Sequence, residues 1–135
     1  MNKEIIVVSG RRKTAVAKIK IQKGSGVILY NGSPYELLNM FHKLAIEEPV
    51  EIYKKVAGDF KFDLDIKTSG GGKESQVEAS RLGIARALMK FDGSDDLKKA
   101  FLDYDRNLLV ADTRRKEACK PGDSKARAKR QSSKR

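Results

Sequence analysis

Two segments of the chain alternate apolar and polar residues with the period of a half-buried β-strand. Residues 13–21 place two Ala and two Ile on one side, with Lys18 and Lys20 on the other. Residues 59–67 place two Phe, a Leu and an Ile on one side, with Lys and Asp on the other. Because successive side chains of a strand point to opposite faces, both segments predict strands with one face in a core.

Turn-forming residues separate a short apolar run from the first of these strands. Gly24 and Gly26 precede the run Val-Ile-Leu-Tyr at 27–30, and Asn31-Gly32 follow it. This arrangement predicts a hairpin between residues 13–21 and 27–30, with a second turn at Asn31-Gly32.

A capping pattern after this turn predicts the first helix. Ser33 and Glu36 have the spacing of a capping box, and Pro34 suits the first helical position. Pro49 is expected to end the helix or to begin a second segment. His42 is expected on the helix surface or as a hydrogen-bonded core residue. The side chains expected to face the core are Leu37, Leu38, Phe41, Leu44 and Ala45.

A second capping box at 75–78 predicts a helix that runs to about Phe91. Ala79 and Gly83 lie one turn apart on this helix, and such small residues let another backbone approach, either that of the sheet or that of an RNA. The helix is followed by a shorter one capped by Ser94 and by a last strand at 107–111. Strands and helices in this order predict an α+β fold. The expected core stripe of the long helix is Val77, Ser80, Ile84, Leu88 and Phe91.

Charge divides the chain into two parts. Residues 1–112 hold 19 basic and 16 acidic side chains, whereas residues 113–135 hold 10 basic and 2 acidic ones. The apolar residues of the second part are three Ala and one Cys, too few to offset the entropy of ordering. We therefore expect a globular domain at 1–112 and a basic tail at 113–135 that is disordered by itself. A net charge of +11 predicts a polyanionic partner.

The composition argues against several other classes of function. The longest apolar runs fall far short of the roughly 18 residues that span a bilayer, so we expect no membrane partner. One Cys (Cys119) and one His (His42) cannot form a four-ligand zinc site by themselves. Because Cys119 is the single Cys, an internal disulfide is ruled out. Asp63 and Asp65 resemble an acid pair, but alternate acids on an exposed strand face are usually solvated. We expect no metal, no cofactor and no catalytic residue.

Two clusters besides the tail are candidates for phosphate binding. Arg11, Arg12 and Lys13 follow one another where a loop enters a strand, and Arg forks with a Lys point charge suit a phosphate backbone. Residues 70–73, Gly-Gly-Gly-Lys, precede the second long helix. Backbone N–H groups of such a loop, together with a helix N-terminus, can cradle a phosphate. A nucleotide-binding loop of the Walker type needs Ser or Thr after the Lys, and here Glu74 follows Lys73. The loop can also be a simple strand-to-helix turn.

Three motifs give the chain a family resemblance. They are GRRKTAVAKIKI at 10–21, GGGKESQVEASRLGIARAL at 70–88 and the closing SKR. From Gly10 to Arg135 the chain resembles small-subunit ribosomal protein nine, and the ending SKR favours the bacterial or organellar type. The resemblance implies the fold of the second domain of small-subunit ribosomal protein five, a mixed sheet with packed helices and a left-handed β-α-β crossover. Patterning alone favours the commoner right-handed crossover.

The resemblance also implies a structural role in the head of the small ribosomal subunit, without enzymatic activity or a small-molecule substrate. The expected partners are small-subunit rRNA, neighbouring head proteins and peptidyl-site tRNA, whose anticodon stem-loop the tail tip would touch. The expected location is the ribosome, in the cytoplasm of a bacterium or in an organelle.

The expected site residues follow from the three clusters and the resemblance. Those expected to bind rRNA are Arg11, Arg12, Lys13, Gly70, Gly71, Gly72, Lys73, Gln76, Arg81, Arg86, Arg114, Arg115, Lys116, Lys120, Lys125 and Arg127. Those expected at the tRNA-contacting tip are Lys129, Arg130, Ser133, Lys134 and Arg135.

The tail departs from the family pattern at three positions. Ser132 stands where bacterial relatives usually have Phe, Asp123 adds a negative charge, and Cys119 replaces a common cation. Two rival functions also stay open from sequence: a free-standing nucleic-acid-binding protein, and a nucleotide-using enzyme built on the 70–73 loop.

Overall fold

The chain folds into one mixed β-sheet with helices packed on it. The computed structural model describes residues 4–130 and 132–133, in which there are five strands, three α-helices and two short 3-10 helices. The strands are β1 (Ile5–Arg12), β2 (Ala15–Lys23), β3 (Ile28–Tyr30), β4 (Ser33–Pro34) and β5 (Phe62–Ser69). The α-helices are α1 (Met40–Ala57), α2 (Lys73–Asp92) and α3 (Asp95–Tyr104), and the 3-10 helices are Tyr35–Leu37 and Arg106–Leu108.

The strand order is β1-β2-β5-β3-β4, with β3 and β5 parallel and the other neighbours antiparallel. α1 joins the two parallel strands, so the β-α-β unit expected from the resemblance is present. This mixed α+β architecture is consistent with the second-domain fold of small-subunit ribosomal protein five. The left-handed sense of the crossover stays a prediction.

The predicted hairpin between residues 13–21 and 27–30 is wrong, because β5 lies between β2 and β3. β5 pairs with β2 over eight residue pairs, whereas the three residues of β3 pair only briefly with β5 and β4 among the described strands. Asp63 of β5 holds the connection in place, since its carboxylate accepts hydrogen bonds from the backbone N–H groups of Ser25, Gly26 and Val27 at 2.9, 3.2 and 3.1 Å.

The turn at Asn31-Gly32 is confirmed. Both residues have positive φ, 51° and 83°, which is the type I′ geometry that matches strand twist in a two-residue hairpin. The turn folds Ser33 and Pro34 back onto β3 as β4, so the predicted capping box at Ser33 is wrong.

Helix α1 instead begins after Asn39, whose side chain accepts a hydrogen bond from the His42 N–H at 3.1 Å. It continues through Pro49, which is buried, so the predicted interruption is wrong. His42 is buried, with Nε2 2.7 Å from Glu74 Oε1, which confirms the hydrogen-bonded core histidine.

The capping pattern did not predict the correct core face of α1. With the helix start moved to Met40, the buried face consists of His42, Ile46, Pro49, Val50, Ile52 and Tyr53. Leu37, Phe41 and Leu44 are exposed, so the prediction that they face the core is wrong, whereas Leu38 and Ala45 are partly buried against it.

The predicted core stripe of α2 is confirmed, since Val77, Ser80, Ile84 and Leu88 are buried and Phe91 is half-buried. The helix begins at Lys73 with Gly72 at the N-cap, so Ser75 lies inside the helix and does not cap it.

Of the two remaining predicted elements, one is confirmed and one is wrong. Ser94 caps α3 through the Leu97 N–H, as expected, and both Leu97 and Phe101 are buried. The predicted strand at 107–111 is wrong: a 3-10 turn at Arg106–Leu108 instead packs Leu108 into the core. In the described part of the chain after this turn there is no further helix or strand.

Close contact between α2 and the first two strands depends on residues without side chains. A Cβ on Gly10 of β1 would lie 2.1 Å from the Ala79 carbonyl oxygen, and a Cβ on Gly83 would lie 2.2 Å from Ile19 Cδ1. The small residues Ala79 and Gly83 therefore serve the sheet, and not an RNA backbone.

Substitution of Gly10 by Ala should destabilise the protein. The added methyl group would meet backbone atoms of Ala79 and Gly83, which cannot rotate away, so we expect a loss of about 1–3 kcal/mol in the free energy of unfolding. Urea denaturation followed by circular dichroism measures it. The control is Ser9→Ala on the exposed face of the same strand, which should change stability by less than about 0.5 kcal/mol. Equal stability of the two variants would contradict the tight contact.

Candidate nucleic-acid interface

The two clusters singled out in the sequence meet at one end of the sheet. Lys13 and Thr14 form the turn between β1 and β2, and Lys13 has a positive φ of 53°. Gly70 and Gly71 also have positive φ, 72° and 62°. A Cβ on Gly70 would lie 2.6 Å from the Thr14 carbonyl oxygen, so the glycine loop lies directly against the turn.

The root of the tail joins the same place. Asp112 accepts hydrogen bonds from the guanidinium groups of Arg12 and Arg114, and from Arg114 the shortest distance is 2.7 Å. The guanidinium of Arg115 donates to the Lys13 carbonyl oxygen. We call residues 11–14, 70–73 and 112–115 together the basic corner.

The carboxylate of Asp112 lies between two guanidinium groups. The hydrogen bonds from Arg114 and from Arg12 hold the pKa of the Asp112 carboxyl well below its usual range, and the hydrogen bond and charge of Asp112 raise the pKa of the Arg114 guanidinium. Arg12 has a second partner, because its Nε lies 2.7 Å from Glu78 Oε2 on α2.

Helix α2 directs its N-terminus into the basic corner. Gly72 is the N-cap and offers no side chain to the first N–H groups of the helix, which have no partner within the helix. These groups carry a partial positive charge. Gln76 fixes the loop before the helix, since its amide donates to the Gly70 carbonyl at 3.0 Å and accepts from Thr68 Oγ1 at 3.2 Å.

Cations outnumber acids in the basic corner. Its six basic side chains are Arg11, Arg12, Lys13, Lys73, Arg114 and Arg115, against the single acid Asp112. The two acids in the first two turns of α2 have partners, since Glu78 pairs with Arg12 and Glu74 with His42. The arrangement can bind phosphate through guanidinium forks, ammonium groups and backbone N–H groups.

Arg81 and Arg86, both expected to bind rRNA, make contacts within the protein. Arg81 bridges Glu48 and Asp105 at 2.5 and 3.3 Å, and only 19% of its side chain is exposed. Arg86 donates to the carbonyl oxygens of Leu109 and Ser9. Arg81 still lines a cleft together with residues of the basic corner.

The tail beyond Arg115 is exposed and contacts itself. Arg127 pairs with Glu117 at 2.9 Å, and Lys120 donates to the Ala128 carbonyl at 3.0 Å. The described residues predicted to bind RNA or tRNA here all lie exposed: Lys116, Lys120, Lys125, Arg127, Lys129, Arg130 and Ser133. Lys134 and Arg135 lie outside the described residues.

Sequence reasoning missed two features of this region. The first is the anchoring role of Asp112. The sequence indicates it only weakly, through an acid two residues before Arg114, and in the structure Asp112 accepts a hydrogen bond from the Arg114 backbone N–H at 2.9 Å. The second feature is a pair of lysines: Lys18 and Lys67 lie directly opposite each other on β2 and β5, away from the core. Like charges in such a pair destabilise a sheet unless an anion lies nearby. Their pairing depends on strand order, which the sequence did not reveal.

Other site types lack support in the described residues. Over 4–130 and 132–133, His, Cys, Asp and Glu form no cluster of three or more able to hold a metal ion. Within that same part of the chain, every helix is too short or too polar to cross a membrane.

Comparison with known proteins decides the family. The model of the family described as ribosomal protein S9/S16 matches residues 10–135. The chain belongs to this family. It is 41% identical over 133 residues to small ribosomal subunit protein uS9 of Methanococcus maripaludis, covering 96% of this chain and 98% of the relative. The protein of the same name from Thermoplasma volcanium is 41% identical over 131 residues, with the same two coverages.

Family membership confirms the resemblance and corrects one detail of it. The relatives just named are archaeal, so the bacterial or organellar type inferred from the ending SKR is not supported. Three terminal residues carry far less information than the similarity of more than 130 positions. Members of this family are structural, non-enzymatic components of the ribosome. The enzyme alternative and the free-standing binding protein are therefore set aside.

Loss of the Asp112 carboxylate should loosen the root of the tail. In Asp112→Asn, Arg12 and Arg114 lose their shared anionic partner, so trypsin should cleave after Arg114 or Arg115 several-fold faster at neutral pH. Asp123→Asn, in the exposed part of the tail, is the control and should leave that rate unchanged.

The contribution of Asp112 to the free energy of unfolding should depend on pH. Because the pKa of the Asp112 carboxyl is lowered in the folded protein, this contribution is fully present above the pKa of the unfolded chain, near 4. It disappears as pH falls through the folded pKa, so the two proteins should converge in stability only in strong acid.

Proposed function

We propose that the chain is a structural component of the small ribosomal subunit that binds rRNA through the basic corner and the tail, and that the end of the tail contacts peptidyl-site tRNA. The names of the relatives support the small subunit. The observation that carries the rRNA contact is the convergence of the β1–β2 turn, the glycine loop, the N-terminus of α2 and the tail root at one place.

The chemistry of the basic corner suits a folded RNA backbone. Lys13 and Lys73 are exposed point charges, whereas Arg11 and Arg115 offer planar forks for phosphate oxygens. Gly70 and Gly71 pack against Thr14 and Ala15, whereas a Cβ on Gly72 would meet nothing within 4 Å, so a phosphate can approach the first N–H groups of α2 beside Gly72. Contacts of this kind recognise the shape of an RNA and the position of its phosphates.

Lysines on the sheet extend the positive surface away from the corner. Lys18 and Lys67 oppose each other directly, and Lys20 is opposite Asp65 on the same face. An RNA phosphate near Lys18 and Lys67 would relieve their mutual repulsion. Arg81 and Arg86, which are engaged within the protein, serve in this proposal to position α2 and the tail root.

The proposal assigns different roles to the two parts of the chain. Residues 1–112 dock as a preformed domain, and residues 113–135 take a defined path only on the RNA. Extended, the tail spans on the order of 70 Å and can pass between RNA helices where a globular body does not fit. Lys129, Arg130, Ser133, Lys134 and Arg135 would then contact the anticodon stem-loop, as the family resemblance implies. Neighbouring head proteins complete the environment on the ribosome.

Removal of charge from the basic corner should reduce the salt dependence of RNA binding. In the double variant Lys13→Gln and Lys73→Gln, each lost phosphate contact should lower the slope of log K against log salt by about 0.7–0.9. Filter binding of the full chain to a head-domain fragment of small-subunit rRNA measures it. Lys54→Gln with Lys98→Gln removes the same charge from exposed helix positions and should leave the slope nearly unchanged. Equal slopes for both double variants would contradict the assignment.

Removal of residues 129–135 should separate assembly from tRNA binding. Because docking is assigned to the domain and the tail root, truncated protein should sediment with small subunits at normal stoichiometry. Affinity of those subunits for peptidyl-site tRNA should fall several-fold, as measured by filter binding of labelled tRNA. If truncated and intact subunits bind this tRNA equally well, the role of the tail tip is wrong.

A further inference from the structure

A pocket of about 370 Å³ adjoins the basic corner at the start of α2. It lies between the end of β3, the 3-10 turn before α1 and the first turns of α1 and α2. Leu38 and Val77 give it an apolar wall, and Tyr30, Asn39 and Lys73 bring polar groups to it. Because Lys73 belongs both to the pocket and to the basic corner, a ligand bound at the corner can extend into the pocket.

Tyr30 brings to this pocket a hydroxyl that has no protein partner. The residue is only 9% exposed, and within the part of the chain that the structure describes its hydroxyl makes no hydrogen bond. Over the same residues, no fully buried polar atom of a side chain lacks a partner. The hydroxyl therefore reaches solvent, and the pocket is the space that Tyr30 lines. Since a Tyr buried to this extent normally has a hydrogen-bond partner, the free hydroxyl indicates a ligand.

Hydrogen bonds hold the polar walls of the pocket in place. Asn31 Nδ2 donates to Thr68 Oγ1 at 2.9 Å, and this hydroxyl donates to Gln76 Oε1 at 3.2 Å. Asn39 Oδ1 caps α1 by accepting the His42 N–H at 3.1 Å, which leaves Asn39 Nδ2 without a partner among the described residues. The pocket therefore presents fixed donors and acceptors beside an apolar wall, which suits a flat heterocycle.

The pocket is close to neutral, in contrast to the basic corner. Lys73 is the one permanently charged side chain among the described residues that line it. Nearby in sequence, Glu36 and Glu74 are offset by Lys43 and Lys73, and Glu74 is also hydrogen-bonded to His42 at 2.7 Å. A neutral pocket joined to a cationic phosphate site matches a nucleotide, in which an uncharged base is attached to an anionic phosphate.

We propose that this pocket takes one unpaired nucleobase of the rRNA, while the phosphate beside that base lies at Lys73 and at the first N–H groups of α2. The inference rests on the proposed function and adds a base contact to its phosphate contacts. Folded RNA offers such bases in loops and bulges, where proteins bind them by hydrogen bonds and stacking. An uncharged peptide segment fits less well, because it would leave Lys73 and these N–H groups without an anion.

Removal of the Tyr30 hydroxyl tests the base contact. Tyr30→Phe keeps the ring and removes no hydrogen bond within the described residues, so the melting temperature should not fall. Affinity of the full chain for the head-domain rRNA fragment should fall about threefold to tenfold in filter binding. The slope of log K against log salt should not change, because an uncharged contact releases no counterion. The matched control is Tyr53→Phe, at a buried Tyr outside the pocket, which should keep both affinity and slope.

Photo-crosslinking identifies the base and gives a test that leaves the protein unchanged. Leu37→p-benzoylphenylalanine, at the exposed edge of the pocket, should crosslink to an unpaired nucleotide of the fragment, located by reverse transcription. Val56→p-benzoylphenylalanine, near the other end of α1, should not react with that nucleotide. On a fragment made abasic at that nucleotide, the unmodified chain should bind several-fold more weakly, and Tyr30→Phe should cause no further loss.

The outcomes separate this inference from the proposed function. If Tyr30→Phe binds as tightly as the unmodified chain while Lys13→Gln with Lys73→Gln lowers the salt slope, the base pocket is wrong and the phosphate contacts stand. If neither change affects binding, both proposals are wrong. A crosslink from position 37 to a base-paired nucleotide, or to another protein in assembled subunits, would also overturn the base pocket.

Discussion

The arrangement of the whole domain depends on the contact between α2 and the first two strands. Because Gly10, Ala79 and Gly83 leave no room for larger side chains, the helix lies close along β1 and β2. Its first turn therefore emerges beside the β1–β2 turn, and the glycine loop before it contacts Thr14. This contact therefore brings to one surface the helix N-terminus, the three adjacent cations and the tail root. Packing in the core and the position of the candidate interface are consequences of the same two glycines.

Ion pairs, as well as the positions of the charged residues, decide which charges of the domain are left for a partner. Acids near the basic corner are occupied, since Glu78 pairs with Arg12, Glu74 with His42, and Asp112 with Arg12 and Arg114. The cations left over face outward. On α1 the acids also have partners, since Glu48 pairs with Arg81, Glu51 pairs with Lys54, and Glu47 accepts a hydrogen bond from the Tyr35 hydroxyl.

Periodicity predicted the elements whose pattern is set by one buried face. β2, β5 and the stripe of α2 follow from alternation and helical spacing, and the Asn31-Gly32 turn follows from its demand for positive φ. Strand order did not follow, because pairing between β2 and β5 is non-local and the short β3 looked like a hairpin partner. The edge strand β1 gave no alternation of residue type to detect because residues 5–8 are all apolar, although their burial alternates, with Ile5 and Val7 half-exposed and Ile6 and Val8 partly buried. The start of α1 was misplaced because the tight turn at Asn31-Gly32 folds Ser33 and Pro34 back onto β3, so the helix begins only after Asn39.

The candidate site was predictable in its chemistry but not in its geometry. Sequence gives the adjacent cations, the glycine loop and the basic tail, whereas their meeting needs the fold. The pairs within the tail, such as Arg127 with Glu117, are exposed and so contribute little to stability. RNA phosphates can replace them at small cost in free energy. The contacts of Asp112 and of the Lys13 carbonyl are different, because they fix the root of the tail to the same corner that offers phosphate ligands. A tail attached there leaves the domain at the surface to which phosphate binding is assigned in our proposal.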